Sequence, residues 1–137
     1  MKKYILLSAF ALSGIAGIAK ASTPVHHAIY QDGKIIHPKV AMADADVKAL
    51  VKTMQGKAND AEKVTLVKDS LKTKGIMIAQ LLMILNQLNE EPKLDIAIFA
   101  FPCTVDYKKY EDVQNVFNEE INKRRLLIYL DKHRKNG

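Results

Sequence analysis

The segment from Ile76 to Leu88 is almost wholly apolar, with Gln80, Asn86 and Gln87 as the exceptions. A helix that is apolar nearly all round is buried nearly all round. This stretch is far shorter than the roughly 20 residues that span a bilayer. It therefore has to lie at the centre of a core, and the rest of the chain has to cover it.

The flanking sequence supplies that cover in helical periods. Val47, Leu50, Val51 and Met54 follow the i, i+3, i+4, i+7 spacing of a buried helix face, behind Asp44 or Asp46 as a cap and ahead of Gly56 as a stop. Asn59-Asp60-Ala61-Glu62 reads as a cap with an acid three residues on, opening a helix with Val64, Val67 and Leu71 on one face. Gly75 interrupts the chain before the apolar segment. Asn89 and Pro92 begin another helix, Lys93 to Phe101, which Pro102 ends. Asp106 is placed to cap a helix carrying Tyr110, Val113, Val116 and Phe117. Asn118-Glu119-Glu120 opens the last helix, with Ile121, Leu127, Ile128 and Leu130 expected inward. Acids at these helix starts and Lys132, His133, Arg134 and Lys135 at the end suit the helix dipole.

Three helix starts look alike: Asn59-Asp60-Ala61-Glu62-Lys63, Asn89-Glu90-Glu91-Pro92-Lys93 and Asn118-Glu119-Glu120-Ile121-Asn122-Lys123. Their lysines recur at a constant interval. One account is a stack of helix pairs, each covering the apolar face its neighbour leaves open. The other is the shared preference of helix N-termini for Asn, Asp and Glu. Both predict an all-α body of five or six short helices over residues 44–137.

The N-terminus has the parts of a secretory signal: Lys2 and Lys3, an uncharged apolar run from Tyr4 to Ala19, then Ala19-Lys20-Ala21. Residues 1–21 are expected to be removed after Ala21, leaving a periplasmic or secreted protein with no transmembrane segment. The one cysteine, Cys103, can make no internal disulfide, so stability has to come from burial. Residues 22–43 form an N-terminal arm in which Asp32-Gly33 between short apolar runs signals a hairpin. The formal charge of +6 is halved by loss of Lys2, Lys3 and Lys20, too mild to indicate nucleic acid as a partner.

Few residues suggest chemistry. His26, His27 and His37 are candidate metal ligands, since imidazoles on the two sides of a hairpin can meet; incidental histidines on a polar arm are the plainer account. Cys103 as a nucleophile would need a base, and His133 is the one histidine outside the arm. Gln80 is expected to satisfy backbone groups in the core, and Asp106 with Tyr110 to cap and pack rather than to act as an acid/base pair. Lys123, Arg124 and Arg125, with Lys132, Arg134 and Lys135, make the last helix basic and a candidate docking face for an acidic protein or lipid headgroup.

Several of these features together resemble a secreted domain family of unknown function, number 4476, found largely in Bacteroidetes. The likeness lies in Lys63 near a helix start and in the apolar helix with Gln80, Leu81, Leu82 and Leu85. It continues through Lys93-Leu94, the Ala97 to Phe101 end, Asp106 with Tyr110 before Val113 and Phe117, and the Tyr129-Leu130 ending. The resemblance implies a secreted helical domain with no assigned activity or cofactor. The expected function is a non-enzymatic binding or scaffolding module for an envelope or extracellular protein, with metal or small-ligand binding by the His-bearing arm as the alternative.

Overall fold

The computed structural model describes residues 30–31 and 33–134. The expected signal segment, residues 1–21, and His26 and His27 lie outside the described residues. A two-stranded hairpin, β1 (Tyr30–Gln31) and β2 (Lys34–Ile35), pairs Tyr30 with Ile35 and Gln31 with Lys34. Gly33 takes φ +77°, the left-handed conformation a tight turn asks of glycine. Five α-helices follow: α1 (Asp44–Gln55), α2 (Asp60–Leu71), α3 (Ile78–Leu85), α4 (Glu90–Ala100) and α5 (Glu120–Arg134). Two 3₁₀ segments, Phe101–Cys103 and Tyr107–Val116, lie between α4 and α5.

The helices stack as pairs in two layers. α4 packs between α2 and α5 in one layer, and α3 packs between α1 and the long 3₁₀ segment in the other. Short extended linkers join the layers and also pair with each other. Ala41 bridges Gly75, and Ile76 bridges Thr104, both in parallel. Their bonds run Met42 N–H to Gly75 O (2.8 Å), Ile76 N–H to Cys103 O (2.9 Å) and Val105 N–H to Ile76 O (2.9 Å). The apolar segment thus begins extended, in a single β-bridge at Ile76, and turns helical at Ile78. Leu81, Ile84 and Leu85 are fully buried at its centre.

Three expectations are corrected. Neither Asp44 nor Asp46 caps α1, whose N-cap is Ala43 with no side-chain cap bond; Asp44 accepts from Gln80 and Asp46 pairs with Lys74. Asp106 does not cap its own helix: its Oδ1 accepts from Ile78 N–H (2.8 Å), at the start of α3, and the helix after it is 3₁₀ with a kink at Lys109. Ile121 and Ile128 do not face inward; they are 58% and 63% exposed. The buried stripe of α5 is Asn122, Leu126 and Leu130, an i, i+4, i+8 set. Ile121 and Ile128 lie on the opposite side of the helix by its 100° turn per residue.

Gly75 carries a close approach. A Cβ there would stand 2.3 Å from Val40 O and 3.0 Å from the Pro38 ring, whereas one at Gly56 would meet Thr53 O at an ordinary 3.5 Å. Gly75→Ala is expected to destabilise the domain by about 2 kcal/mol, the scale of overpacking, and Gly56→Ala to leave it nearly unchanged. Urea denaturation of the two variants checks this; equal midpoints would refute it.

Candidate functional site

The three similar helix starts share one geometry. Asp60, Glu90 and Glu120 are each the first residue of their helix, and Lys63, Lys93 and Lys123 each the fourth. Lys63 Nζ pairs with Asp60 (3.3 Å) and donates to Gln87 O (3.1 Å), at the end of α3. Lys93 Nζ pairs with Glu90 (3.2 Å) and donates to Val116 O (3.1 Å), at the end of the long 3₁₀ segment. The acids reach onward to the next helix start. Asp60 accepts from the Asn89 backbone N–H (3.1 Å) and side chain (2.7 Å). Glu90 accepts from the N–H groups of Asn118 (3.2 Å) and Glu119 (3.3 Å). Each acid–lysine pair is a clasp holding the end of one helix pair and the beginning of the next.

The third clasp is present and holds nothing further among the described residues. Lys123 pairs with Glu120 (2.7 Å), and the Glu120 side chain is 84% exposed. Ile121, Arg124 and Ile128 stand exposed on the same outer face. The candidate docking triad therefore divides. Lys123 belongs to the clasp, and Arg125 turns back to Glu91 (2.8 Å) and Asn122 (3.2 Å). Arg124 projects outward.

His37 lies in a second place, a cleft of about 390 Å³ between the arm and the end of α5, with Lys34, Ile35, Phe101, Tyr107, His133 and Arg134 in its walls. Its ring stacks on Tyr107 at 3.5 Å and meets Phe101 edge-on at 5.2 Å. His133 stacks on Tyr129 at 4.0 Å. His37 Nδ1 lies 3.0 Å from Thr104 O, and His133 Nδ1 lies 2.8 Å from Tyr129 O. A carbonyl accepts, so each Nδ1 carries a proton, which leaves Nε2 as the nitrogen turned away from these bonds. Arg134 pairs with Glu111 at the rim. Among the described residues no three His, Cys, Asp or Glu side chains gather as a metal site. Sequence reasoning set His37 with the arm and His133 in a charged tail; the i, i+4 spacing of Tyr129 and His133 was the signal that His133 is fixed.

Cys103 is buried, its thiol 3.9 Å from Phe99 O, and burial pushes its pKa up to about 11. A thiol so placed stays protonated and a poor nucleophile. Gln80 does what its position on an apolar helix requires. Its Oε1 accepts from Met77 N–H (3.0 Å), and its Nε2 donates to Met42 O (3.0 Å) and Asp44 (2.6 Å). Tyr110 is fully buried and donates to Ala97 O (2.6 Å).

The family model for the domain of unknown function DUF4476 matches residues 41–130. The chain belongs to that family, and the match begins at the first linker and ends on α5. No curated protein and no solved structure matched.

Burial lowers the His37 pKa, against smaller opposing effects of its bonds to the Thr104 and Phe101 backbones. Burial thus favours the neutral, docked ring, and docking is fully present above the ordinary His value near 6.5. It weakens as pH falls below that value and the undocked ring takes up a proton. The Tyr107 ring resonances in NMR are expected to shift between pH 7.5 and 5 towards those of a His37→Ala variant; invariance would refute this. Cys103 should resist iodoacetamide at pH 8 until denaturant is added, and prompt native labelling would contradict its burial.

Proposed function

We propose that this chain is an exported, non-enzymatic binding module of the cell envelope that engages a protein through the outer face of α5. One observation carries it. The clasp that twice grips a neighbouring helix pair recurs at Glu120 and Lys123 with no described residue in its grip, beside exposed Ile121 and Ile128. Exposed apolar side chains clustered on one face and rimmed by charge mark interaction surfaces. Arg124 supplies outward charge there. Export is supported by the Lys2-Lys3 start, the apolar run and Ala19-Lys20-Ala21. No helix among the described residues is long and apolar enough to cross a membrane.

The test is crosslinking affinity capture of the tagged, exported chain in its own envelope, read by mass spectrometry. A reproducible protein partner, lost from Arg124→Glu and Ile128→Asp variants, is the expected result. N-terminal sequencing of the recovered chain should begin at Ser22. Capture that survives both substitutions would overturn the assignment to α5, and a chain retained in the cytoplasm would overturn export.

A second function is favoured by the cleft, where His37 and His133 both hold Nδ1 on a backbone carbonyl, the arrangement that leaves Nε2 as a ligand atom. These two rings would supply ligands for Zn²⁺ or Cu²⁺; His26 and His27, the other candidate ligands, lie outside the described residues. Either metal should then raise the melting temperature of the exported chain, and His37→Ala should remove the rise. An unchanged melting temperature at excess metal would exclude it.

A further inference from the structure

We infer that the partner of the α5 face is the α1–α2 end of a second copy of this chain, so that copies stack head to tail. This rests on α5 being a protein-binding face, as proposed above, and specifies what binds there. The two ends of the stack are complementary halves. Among the described residues, α5 is a first-layer helix followed by no second-layer helix, and α1 is a second-layer helix preceded by no first-layer helix. An α5 and an α1 from successive copies make one complete pair.

The backbone groups match as well. The acids Asp60 and Glu90 catch the N–H groups of Asn89 and Glu119, the residues just before α4 and α5. Asn59 is the corresponding residue before α2, and no carboxylate reaches its N–H among the described residues. The lysines grip carbonyls two or three residues before those positions, at Gln87 and Val116. The equivalents before Asn59 are Gly56 and Lys57. A docked copy would thus offer the Asn59 N–H to Glu120 and the Gly56–Lys57 carbonyls to Lys123, which would also stand between Glu120 and the incoming Glu62.

Side-chain register points to the same occupant. Between α2 and α4, the ninth residue of the first helix meets the sixth and tenth of the next: Lys68 lies 2.8 Å from Asp95 and 5.5 Å from the Phe99 ring. Between α4 and α5, the second residue meets the sixth, Glu91 with Arg125 at 2.8 Å. Carried one step on, Ile121 falls on Thr65 of the next copy, and Ile128 on Thr65 and Asp69. One turn further, exposed Lys132 falls on Asp69. These positions of α2 line an open groove with Ala61, Glu62 and Leu66 in its walls. The outer face of α5 is apolar and basic beside the exposed Glu120. The receiving groove has an apolar floor at Leu66 and carries Glu62 and Asp69, with Lys57 also in its lining and Asp69 paired with Lys72 (2.8 Å) until a second copy docks. The match is in both shape of pattern and charge. Such a contact uses two different surfaces, so it propagates as a chain or a ring rather than closing as a twofold dimer.

The test uses the chain exported with its own leader. Thr65→Cys and Ile128→Cys are made in separate chains; both positions are exposed, so folding is preserved. Mixed under mild oxidation, the two are expected to form a crosslinked heterodimer well above the level either forms alone, and a chain with both substitutions to form a ladder. Sedimentation should show association of the wild-type chain weakened roughly fivefold by Lys132→Glu, the scale of one ion pair, and restored by Asp69→Lys in the same chain. Efficient dimerisation of Ile128→Cys alone would overturn head-to-tail stacking in favour of a symmetric contact. A strictly monomeric wild type that captures an envelope protein through Arg124 and Ile128 would overturn the second copy as occupant and leave the α5 binding face standing. Absence of both association and capture would remove both.

Discussion

The two-layer stack depends on a lysine placed where helix electrostatics alone would not put it. The first turn of a helix is the positive end of its dipole and favours acids. Asp60 and Glu90 obey that rule; Lys63 and Lys93 do not. Each ammonium is instead carried across the layer to carbonyls at the negative end of the partner helix, Gln87 O and Val116 O. Lys93 is 7% exposed, so its charge has to be fully answered. Glu90, Val116 O and the face of Phe117 (5.9 Å) answer it. The acid of each pair is committed at the same time to backbone N–H groups of the next helix start. One pair of side chains thereby fixes three helix ends, which no apolar contact does with comparable directionality. The hydrogen bond from Asn89 N–H holds Asp60 below its ordinary pKa. At Glu90 burial is the largest single effect and acts upward, but bonds from Asn118, Lys93, Glu119 and Asn122 together outweigh it and the net shift is downward. Lowered carboxylate pKa values stabilise the fold above the ordinary carboxylate range, and that contribution fades as pH falls through the folded values.

On the opposite edge the linkers serve the same end with backbone groups. Gly75 lets Val40 O and Pro38 come close enough for Ala41 and Gly75 to pair. Gln80, Asp106 and Tyr110 then each bind a main-chain atom from another helix or linker: Met42 O, Ile78 N–H and Ala97 O. Among the described residues no buried side-chain polar atom lacks a partner. A buried polar group spent on a distant backbone atom specifies which segments are neighbours, and apolar packing then fills the space between them.

Much of this was legible because helices of this core are read by period. The apolar faces of α1 and α2, the burial of α3 and the constant spacing of Lys63, Lys93 and Lys123 all translate directly into the stack. What escaped has physical causes. Asp106 has the chemistry of an N-cap, and a cap is indistinguishable in sequence from a carboxylate that serves a helix start elsewhere. Ile76 continues an apolar run, and the switch from an extended bridge to helix at Ile78 follows from pairing with Thr104, a contact far off in sequence. On α5 the apolar residues outnumber the buried positions, so the period has two registers, and Asn122 holds a core position through Glu90 and Glu119. Burial of a polar residue and exposure of two isoleucines are one decision, made by the clasp.

That decision separates buried from exposed apolar positions on a single helix. A solenoid of helix pairs normally ends in a unit whose outer surface is polar, because an exposed inner face would find a partner. In this chain the arm covers part of the end: Ile35, His37 and their neighbours close over Phe101, Tyr107 and the last turn of α5. The first turn of α5 keeps the acid and lysine that in α2 and α4 grip a following pair, and α5 adds Ile121 and Ile128 at the second and ninth positions, where α2 has Ala61 and Lys68 and α4 has Glu91 and Ile98. Solubility alone would be served by polar residues at 121 and 128, and monomer stability gains little from isoleucines more than half exposed. The stability of the stack and the shape of its open end are therefore set by different residues of α5, Asn122, Leu126 and Leu130 for the one, Glu120, Ile121, Lys123 and Ile128 for the other. Under the proposed reading, substitutions in the second set change what the domain binds while leaving its core as it is.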